Sequence, residues 1–361
     1  MDIYTNAQRA YLLLEDGSVV KGYSVGAKHD VFGELVFNTS VVGFQQLLTD
    51  PANENNLLVD TFPMLGNYGV VENEDDLSAA HARAVIVRDW CPTPSNYKMT
   101  GRIDEWMERK DIVGLFGVDT RALTRKLRDH GVQKAMITHK EITEENKAEL
   151  LEAIKAYDCV APYWKEKNEM EITPVSDRKV VVMDLGARAD VVSALNARGF
   201  STIVVPSTMS AEEMLSHEPE AIVICGGYSG KADLSKELET IAELQKSGKA
   251  ILGIGLGHQL MGILAGGKIE KMKAGHRGAN CPVTALESGR TFVSTQNHGD
   301  IVVDVDPAKA TVTHINANDK TCEGLSYKEF NGMSVQFIPE CELGRRNFDG
   351  VYEAFMNMIE K

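Results

Sequence analysis

The sequence predicts two α/β domains, a β-rich one in the amino-terminal half and a doubly wound one in the carboxyl-terminal half. The chain has 361 residues, a length typical of about two domains. Short strands and turns dominate the first half, whereas apolar strands and helices alternate regularly in the second. Residues 158–178 lie between these patterns and combine many charges and two prolines with little periodicity. We therefore predict domains at 1–157 and 179–361, joined by a linker at 158–178.

Three elements of the first half can be predicted with a physical reason. Residues 11–26 predict a β-hairpin, because an Asp-Gly turn separates two strand-like runs. Helices are predicted over 96–112 and 118–131. Asp119 or Thr120 can cap the second of these, and Gly131 can end it.

The second half predicts a parallel sheet with helices on both faces, because each apolar strand is followed by a helix and right-handed crossovers connect such units. Ligands bind beyond the carboxyl ends of the strands in folds of this kind. Further strands and turns are predicted at 289–338, and a closing helix at 348–361. The parallel strands are predicted at 179–186, 201–207, 221–227 and 250–257.

Composition excludes several classes of protein. The net charge of −14 argues against a nucleic-acid partner, which requires clustered Lys and Arg. No apolar run is long enough to span a membrane, and the first residues lack the pattern of a signal peptide. Six cysteines occur without a C-x-x-C pair, so we expect neither disulfides nor a metal site, and a cytoplasmic location.

The stretch "GIGLGHQLMG" at 253–262 reads as a strand, a glycine turn and a helix. Several hydrolases present a nucleophile on such a turn, where the backbone is strained and N–H groups at the helix start can hold an oxyanion. Gly255 stands at the tip of the turn and has no side chain. The turn is therefore present without a nucleophile.

This stretch resembles the "GICLGHQ" elbow of class I glutamine amidotransferases. The runs "TQNHG" at 295–299 and "QFIPE" at 336–340 resemble that family's "AQNHG" and "QGHPE". The first half is similar to the amino-terminal domain of the small subunit of carbamoyl-phosphate synthetase, and the resemblance covers nearly the whole chain. The stretches that carry it are "FNTSVVGFQQLLTDP" at 37–51, "GNYGV" at 66–70, "VDTRALTRKLRDHG" at 118–131 and "MDLGARADVVSAL" at 183–195.

The resemblance implies a flavodoxin-like amidotransferase domain and a role beside a large synthetase subunit. In that family the small subunit hydrolyses glutamine, and the large subunit uses the ammonia, bicarbonate and ATP to make carbamoyl phosphate for arginine and pyrimidines. No cofactor is implied for this chain, since ATP and Mg²⁺ are expected on the large subunit. The glutaminase reaction needs a thiolate, a His that activates it, a carboxylate that orients the His, and oxyanion donors.

Carried over position by position, the resemblance gives a degenerate site. The nucleophile position is Gly255, the His position is Ile338, and Phe337 stands where the family has Gly; only the orienting carboxylate remains, as Glu340. The family's "SNGPGDP" loop reads "CGGYSGK" at 225–231. The resemblance implies substrate contacts at Gly227, Leu256, Gln259, Asn297 and Gly299.

We interpret these changes as a natural pseudo-glutaminase, because a single exchange at Gly255 would leave Ile338 and Phe337 unexplained. Two alternatives stay open. The chain could be a non-catalytic regulatory or binding module that reuses the pocket, or an amidohydrolase with Cys225 as a relocated nucleophile. His258 could serve the site or only packing, and 297–299 is predicted to form a turn.

Overall fold

The computed structural model describes residues 4, 7–71, 79–158, 162–227, 230, 232–339 and 350–360. The chain divides into two compact units, Met1–Val160 and Ala161–Lys361. Among the described residues, no helix combines the length and the apolar character that crossing a membrane would need.

The first unit is built around a closed β-barrel with the strand order β1-β2-β8-β6-β4-β3-β9. Its interior is filled by aliphatic side chains such as Leu12, Leu35 and Leu57, all fully buried. The elements are β1 Arg9–Leu14, β2 Val19–Gly26, β3 Val31–Asn38, α1 Phe44–Thr49, β4 Asn56–Asp60, β5 Met64–Leu65, β6 Ala84–Ile86, β7 Asp89–Trp90, α2 Ile103–Arg109, β8 Val113–Phe116, α3 Thr120–His130, β9 Gln133–Thr138 and α4 Lys147–Ala156.

Two of the three elements predicted in this unit are confirmed. Strands β1 and β2 form the antiparallel hairpin. Helix α3 is capped by Asp119, whose carboxylate accepts from the Ala122 N–H at 2.9 Å, and it ends at Gly131. The helix predicted over 96–112 is wrong in its first part, because Gly101 pairs with Val70 and α2 begins only afterwards.

The second unit contains a ten-stranded sheet with the order β10-β12-β11-β13-β14-β19-β18-β17-β15-β16. Strands β12, β11, β13, β14 and β19 pair in parallel, which confirms the doubly wound, flavodoxin-like prediction. The elements are β10 Glu171–Thr173, β11 Lys179–Leu185, α5 Ala189–Ala197, β12 Ser201–Pro206, α6 Ala211–Ser216, β13 Ala221–Gly226, α7 Ser235–Leu244, β14 Ala250–Gly255, α8 Leu256–Leu264, β15 Lys268–Ala285, β16 Thr291–Val303, β17 Ala310–Asn316, β18 Cys322–Tyr327, β19 Gly332–Val335 and α9 Val351–Ile359.

Both faces of this sheet are covered by apolar cores. Ile222 and Ile224 of β13 point into one core, with side chains of α6, α7 and α8. Val223 and Cys225 point into the other, with side chains of α5 and α9. Successive residues of a strand point to opposite faces, so a parallel strand covered on both sides reads as a continuous apolar run.

The segment predicted as a linker is in part a component of the second unit. Trp164 is 1% exposed and lies in one of the two cores of the sheet. Lys165 Nζ is 2.7 Å from Glu237 Oε1, and β10 pairs antiparallel with β12. Sequence periodicity missed β10 because it has only three residues, all of them exposed.

The last four strands before β19 in chain order extend the sheet in antiparallel fashion. Strands β15 and β16 form a long hairpin with irregular pairing between Lys271 and His276 and again between Gly278 and Cys281. Strand β15 falls at 268–285, where the sequence predicted no element. The hairpin contributes to the candidate site, because β16 carries the "TQNHG" stretch.

Candidate functional site

The elbow lies where strands β13 and β14 end side by side. Gly226 and Gly255 are partners in the parallel register, and α8 begins at the next residue, Leu256. Gly255 has φ 59° and ψ −112°, a region that L-residues adopt only under strain. A Cβ at Gly255 would lie 2.3 Å from the Gly226 carbonyl oxygen. In this conformation only glycine fits, so the turn excludes a side-chain nucleophile unless the end of β13 moves.

Two of the predicted substrate positions adjoin this turn. The Gly227 N–H donates to the Leu185 carbonyl at 3.3 Å, which holds Gly227 against the end of β11. Leu256 is 2% exposed, and its side chain packs in the core beneath the sheet. Any contribution of Leu256 to an oxyanion site would thus come from its backbone N–H rather than its side chain.

Gln259 joins three parts of the chain at the base of the site. Its Nε2 donates to Gln336 Oε1 at 3.1 Å and lies 3.5 Å from the Asp300 carbonyl oxygen. Gln259 is 6% exposed, and Gln336 is 4% exposed. The amide of Gln259 is therefore occupied by internal partners that connect α8 to β16 and to the segment after β19.

Asn297 and Gly299 lie within strand β16, so the turn predicted over 297–299 is wrong. Asn297 is the register partner of Arg277 on β15. A Cβ at Gly299 would lie 3.1 Å from Arg277 Nη2, which places the guanidinium over this glycine. Cross-strand pairing with β15, an element that the sequence did not predict, keeps this segment extended.

The family's His position carries an apolar side chain. Ile338 is 8% exposed, and its N–H donates to the Thr295 carbonyl at 3.0 Å. Phe337 is fully buried, with ring centroids 5.5 Å from Phe292 and 5.6 Å from His314. Phe337 thus belongs to an aromatic cluster in the core. The remaining carboxylate, Glu340, and the loop residues Tyr228 and Ser229 lie outside the described residues.

Cys225 does not have the properties of a relocated nucleophile. It is 2% exposed on β13, and its side chain lies in the core between the sheet and helices α5 and α9. Burial raises the pKa of its thiol to about 12. A nucleophilic cysteine needs an accessible thiolate near neutral pH, so the amidohydrolase alternative loses its nucleophile.

His258 serves packing rather than an open site. Its side chain is fully buried, and Nδ1 lies 2.8 Å from Ser334 Oγ, which in turn lies 2.8 Å from the Tyr327 hydroxyl. Burial lowers the pKa of His258 to about 3, so the ring is neutral at physiological pH. The sequence left open whether this residue serves the site, and the structure places it beneath the sheet.

We expect the stability of the second unit to fall in mild acid because of His258. The unfolded ring protonates near pH 6.5 and the folded ring only near pH 3, so acid favours the unfolded chain across this interval. Between pH 6.5 and 5 this group alone should cost about 2 kcal/mol. His258→Asn should therefore show a smaller drop in urea midpoint between pH 7 and 5 than the parent. The exposed His130→Asn serves as a control, and an unchanged drop in His258→Asn would contradict the assignment.

Sequence reasoning missed a cluster formed by His276, His298 and Glu323 in the antiparallel part of the sheet. Only His298 stood in a motif that the sequence singled out. The three residues lie on β15, β16 and β18, so no fixed spacing of ligands appears along the chain. Pairing of β15 with β16 places the two histidines side by side, and Glu323 reaches them from β18, which lies between β17 and β19 in the sheet.

Comparison with known proteins identifies both halves of the chain. Residues 12–137 match the CPSase domain of the carbamoyl-phosphate synthase small chain, and residues 181–358 match glutamine amidotransferase class-I. A carbamoyl phosphate synthase small chain from Fusobacterium nucleatum is 36% identical over 356 residues, 97% of this chain and 98% of its own length. One from Lactococcus lactis is 38% identical, with 97% and 98% covered. A solved glutamine amidotransferase from Thermotoga maritima has a TM-score of 0.38 and 22% identity, covering 51% of this chain and 85% of its own.

Proposed function

The chain belongs to the carbamoyl phosphate synthase small chain family, and on that basis we propose that it acts as a small subunit that has lost glutamine hydrolysis. It would bind a large synthetase subunit, which would hold ATP and Mg²⁺ and make carbamoyl phosphate from bicarbonate and free ammonia. The proposal implies a cytoplasmic complex that serves arginine or pyrimidine synthesis.

The proposed loss of glutamine hydrolysis rests on two positions of the site, Gly255 and Ile338, that offer no reactive side chain. Gly255 offers no thiol, and Ile338 offers no imidazole that could take a proton from a nucleophile and deliver it to the leaving ammonia. Among the described residues at the elbow, Cys225 has a thiol that is protonated at neutral pH, and His258 is bound to Ser334 beneath the sheet. These features support a pocket without a nucleophile and its base.

The extent of the family match supports subunit function over a detached binding module. The first unit retains the small-chain match over 12–137, and the relatives are covered over almost their whole length. A module that kept only the glutamine pocket would have no reason to retain the first unit. In the second unit, by contrast, the fold is retained while the catalytic groups of the pocket are replaced.

Co-expression with a large subunit from the same genome tests the proposal. We expect one complex in size-exclusion chromatography, because a stable subunit interface buries on the order of 1,000 Å² or more. The complex should make carbamoyl phosphate from ammonium chloride and bicarbonate but not from glutamine. A complex with an intact small chain from a relative is the control, and it should use both nitrogen sources. Two separate peaks at micromolar concentration would favour the regulatory module instead.

A further inference from the structure

Two histidines and a glutamate converge between three strands of the antiparallel extension. His276 on β15 and His298 on β16 are register partners, and Glu323 lies on β18. One nitrogen of each imidazole and one oxygen of the carboxylate lie within 4.8 Å of one another. His276 Nδ1 is 3.2 Å from Glu323 Oε1. Two ligand atoms of a tetrahedral zinc ion lie about 3.3 Å apart when its bonds are 2.0–2.1 Å long.

Both imidazoles are oriented by a hydrogen bond from the other ring nitrogen. His276 Nε2 lies 2.8 Å from Asp319 Oδ2, and His298 Nδ1 lies 2.9 Å from the Asp300 carbonyl oxygen. A carbonyl can only accept, so His298 Nδ1 is the donor to Asp300. His298 Nε2 lies 3.1 Å from Gln296 Oε1, which also only accepts, so a metal bound through Nε2 requires the Gln296 amide to give up this contact. Metal-binding histidines almost always donate their second N–H to a carboxylate or a backbone carbonyl. Here His276 faces a carboxylate and His298 donates to a backbone carbonyl.

The carboxylate of Glu323 lacks a partner for one of its oxygens. The side chain is fully buried, and Oε1 is 3.3 Å from Asn316 Nδ2, which donates to it, and 3.2 Å from His276 Nδ1. Oε2 is buried with no hydrogen-bond partner among the described residues. An ionised carboxylate away from water is costly unless it is paired or coordinates a metal. The free oxygen therefore points to a cation.

The charges around the cluster favour a cation as well. Two negative carboxylates, Glu323 and Asp319, interact electrostatically with His276, whereas one positive guanidinium, Arg277, interacts with His298. Negative charge therefore exceeds positive charge around the cluster. Arg277 Nη1 donates to the Ala274 carbonyl at 2.9 Å. Two imidazoles with one carboxylate suit zinc and related transition metals, whereas magnesium and calcium prefer oxygen ligands alone.

We propose that His276, His298 and Glu323 bind one divalent transition-metal ion, of which Zn²⁺ is the best fit, and that Asp319 orients His276. The ion would cross-link β15, β16 and β18 and leave a fourth position for water. The site does not depend on the proposed function, since it is argued from the geometry of His276, His298 and Glu323 alone. The competing arrangement is a metal-free ion pair, with a protonated His276 held between Asp319 and Glu323.

Calorimetric titration of the metal-free full-length chain with zinc chloride tests the site. We expect one equivalent of zinc to bind and to raise the melting temperature of the chain, because the ion binds only the folded strands. Glu323→Gln keeps the shape of the side chain and should weaken zinc binding by about 100-fold or more, and Asp319→Asn by about 10- to 100-fold. His29→Ala should leave zinc binding unchanged, since His29 pairs with Asp111 at an exposed position of the first unit.

X-ray absorption on the zinc-loaded chain gives a second readout that needs no variant. It should show imidazole scattering and nitrogen or oxygen neighbours at about 2.0–2.2 Å. Failure to bind zinc at one equivalent, or equal affinity in the parent and in Glu323→Gln, would overturn the site. Spectra without imidazole scattering would also overturn it. Each of these results would instead support the metal-free arrangement, in which a protonated His276 pairs with Asp319 and Glu323.

Discussion

We expect the purified chain, alone or with its large subunit, to release glutamate from glutamine about 10⁶-fold more slowly than an intact relative. The groups of a catalytic triad act as a unit, so losing the nucleophile removes most of what the remaining groups contribute. Gly255 and Ile338 replace two of the three groups, and no exposed thiol stands beside the turn in the part of the chain that the structure describes.

The measurement is glutamate production at saturating glutamine, with an intact small chain from a relative under the same conditions. Cys225→Ala is the matched control for a relocated nucleophile, and it should leave the background rate unchanged. Turnover within about tenfold of the relative, lost on alkylation or in Cys225→Ala, would contradict the pseudo-glutaminase, because this is the behaviour of a working thiolate.

The second large effect is expected for Gly255→Cys, which should destabilise the second unit without restoring hydrolysis. A side chain at this φ and ψ costs about 1–3 kcal/mol in backbone strain. The Cβ would also lie 2.3 Å from the Gly226 carbonyl oxygen, so the end of β13 must move. Gly226 has little room to do so, because a Cβ placed on it would itself lie 2.1 Å from the Leu185 carbonyl oxygen.

Gly248→Cys is a control variant that measures the cost of backbone strain without steric conflict. Gly248 also has a positive φ, 74°, but a Cβ there meets no atom within 4 Å. We expect Gly248→Cys to lose about 1 kcal/mol and Gly255→Cys clearly more, as measured by the shift of the urea midpoint. Equal losses would mean that the elbow has room for a side chain. Glutamine turnover by Gly255→Cys within about tenfold of an intact relative would mean that the site was lost recently.

Restoring the imidazole as well should not be sufficient. Ile338→His would place a polar ring at a position that is 8% exposed and next to a fully buried phenylalanine. The family's pattern has Gly at this position, which makes Phe337→Gly the next replacement to consider. The structure argues against it, because Phe337 packs on Phe292 and His314, and removal of a buried aromatic ring costs about 3–5 kcal/mol. Phe337 is therefore part of the core packing, and its removal would destabilise the second unit.

The sequence alone predicted the features that depend on local pattern. The alternation of apolar strands and helices after residue 178 predicted a parallel sheet covered by helices on both faces, since crossovers in such sheets have one hand. The stretch at 253–262 predicted a turn with a missing nucleophile, and the glycine-only conformation of Gly255 agrees with it. The hairpin of β1 and β2 and the cap at Asp119 followed from turn and capping residues, whose geometry is fixed within a few positions.

Only the tertiary structure decided which side chains meet. Strand β15 brings His276 beside His298, and β18 adds Glu323, because register between strands depends on packing across the whole sheet. The same holds for His258, whose partner Ser334 lies 76 positions away in the chain. Burial follows from these long-range contacts, and burial determines whether a histidine is a base, a ligand or a neutral part of the core. A motif specifies a residue type at a position, whereas its chemistry is set by neighbours that pairing of distant strands brings into contact.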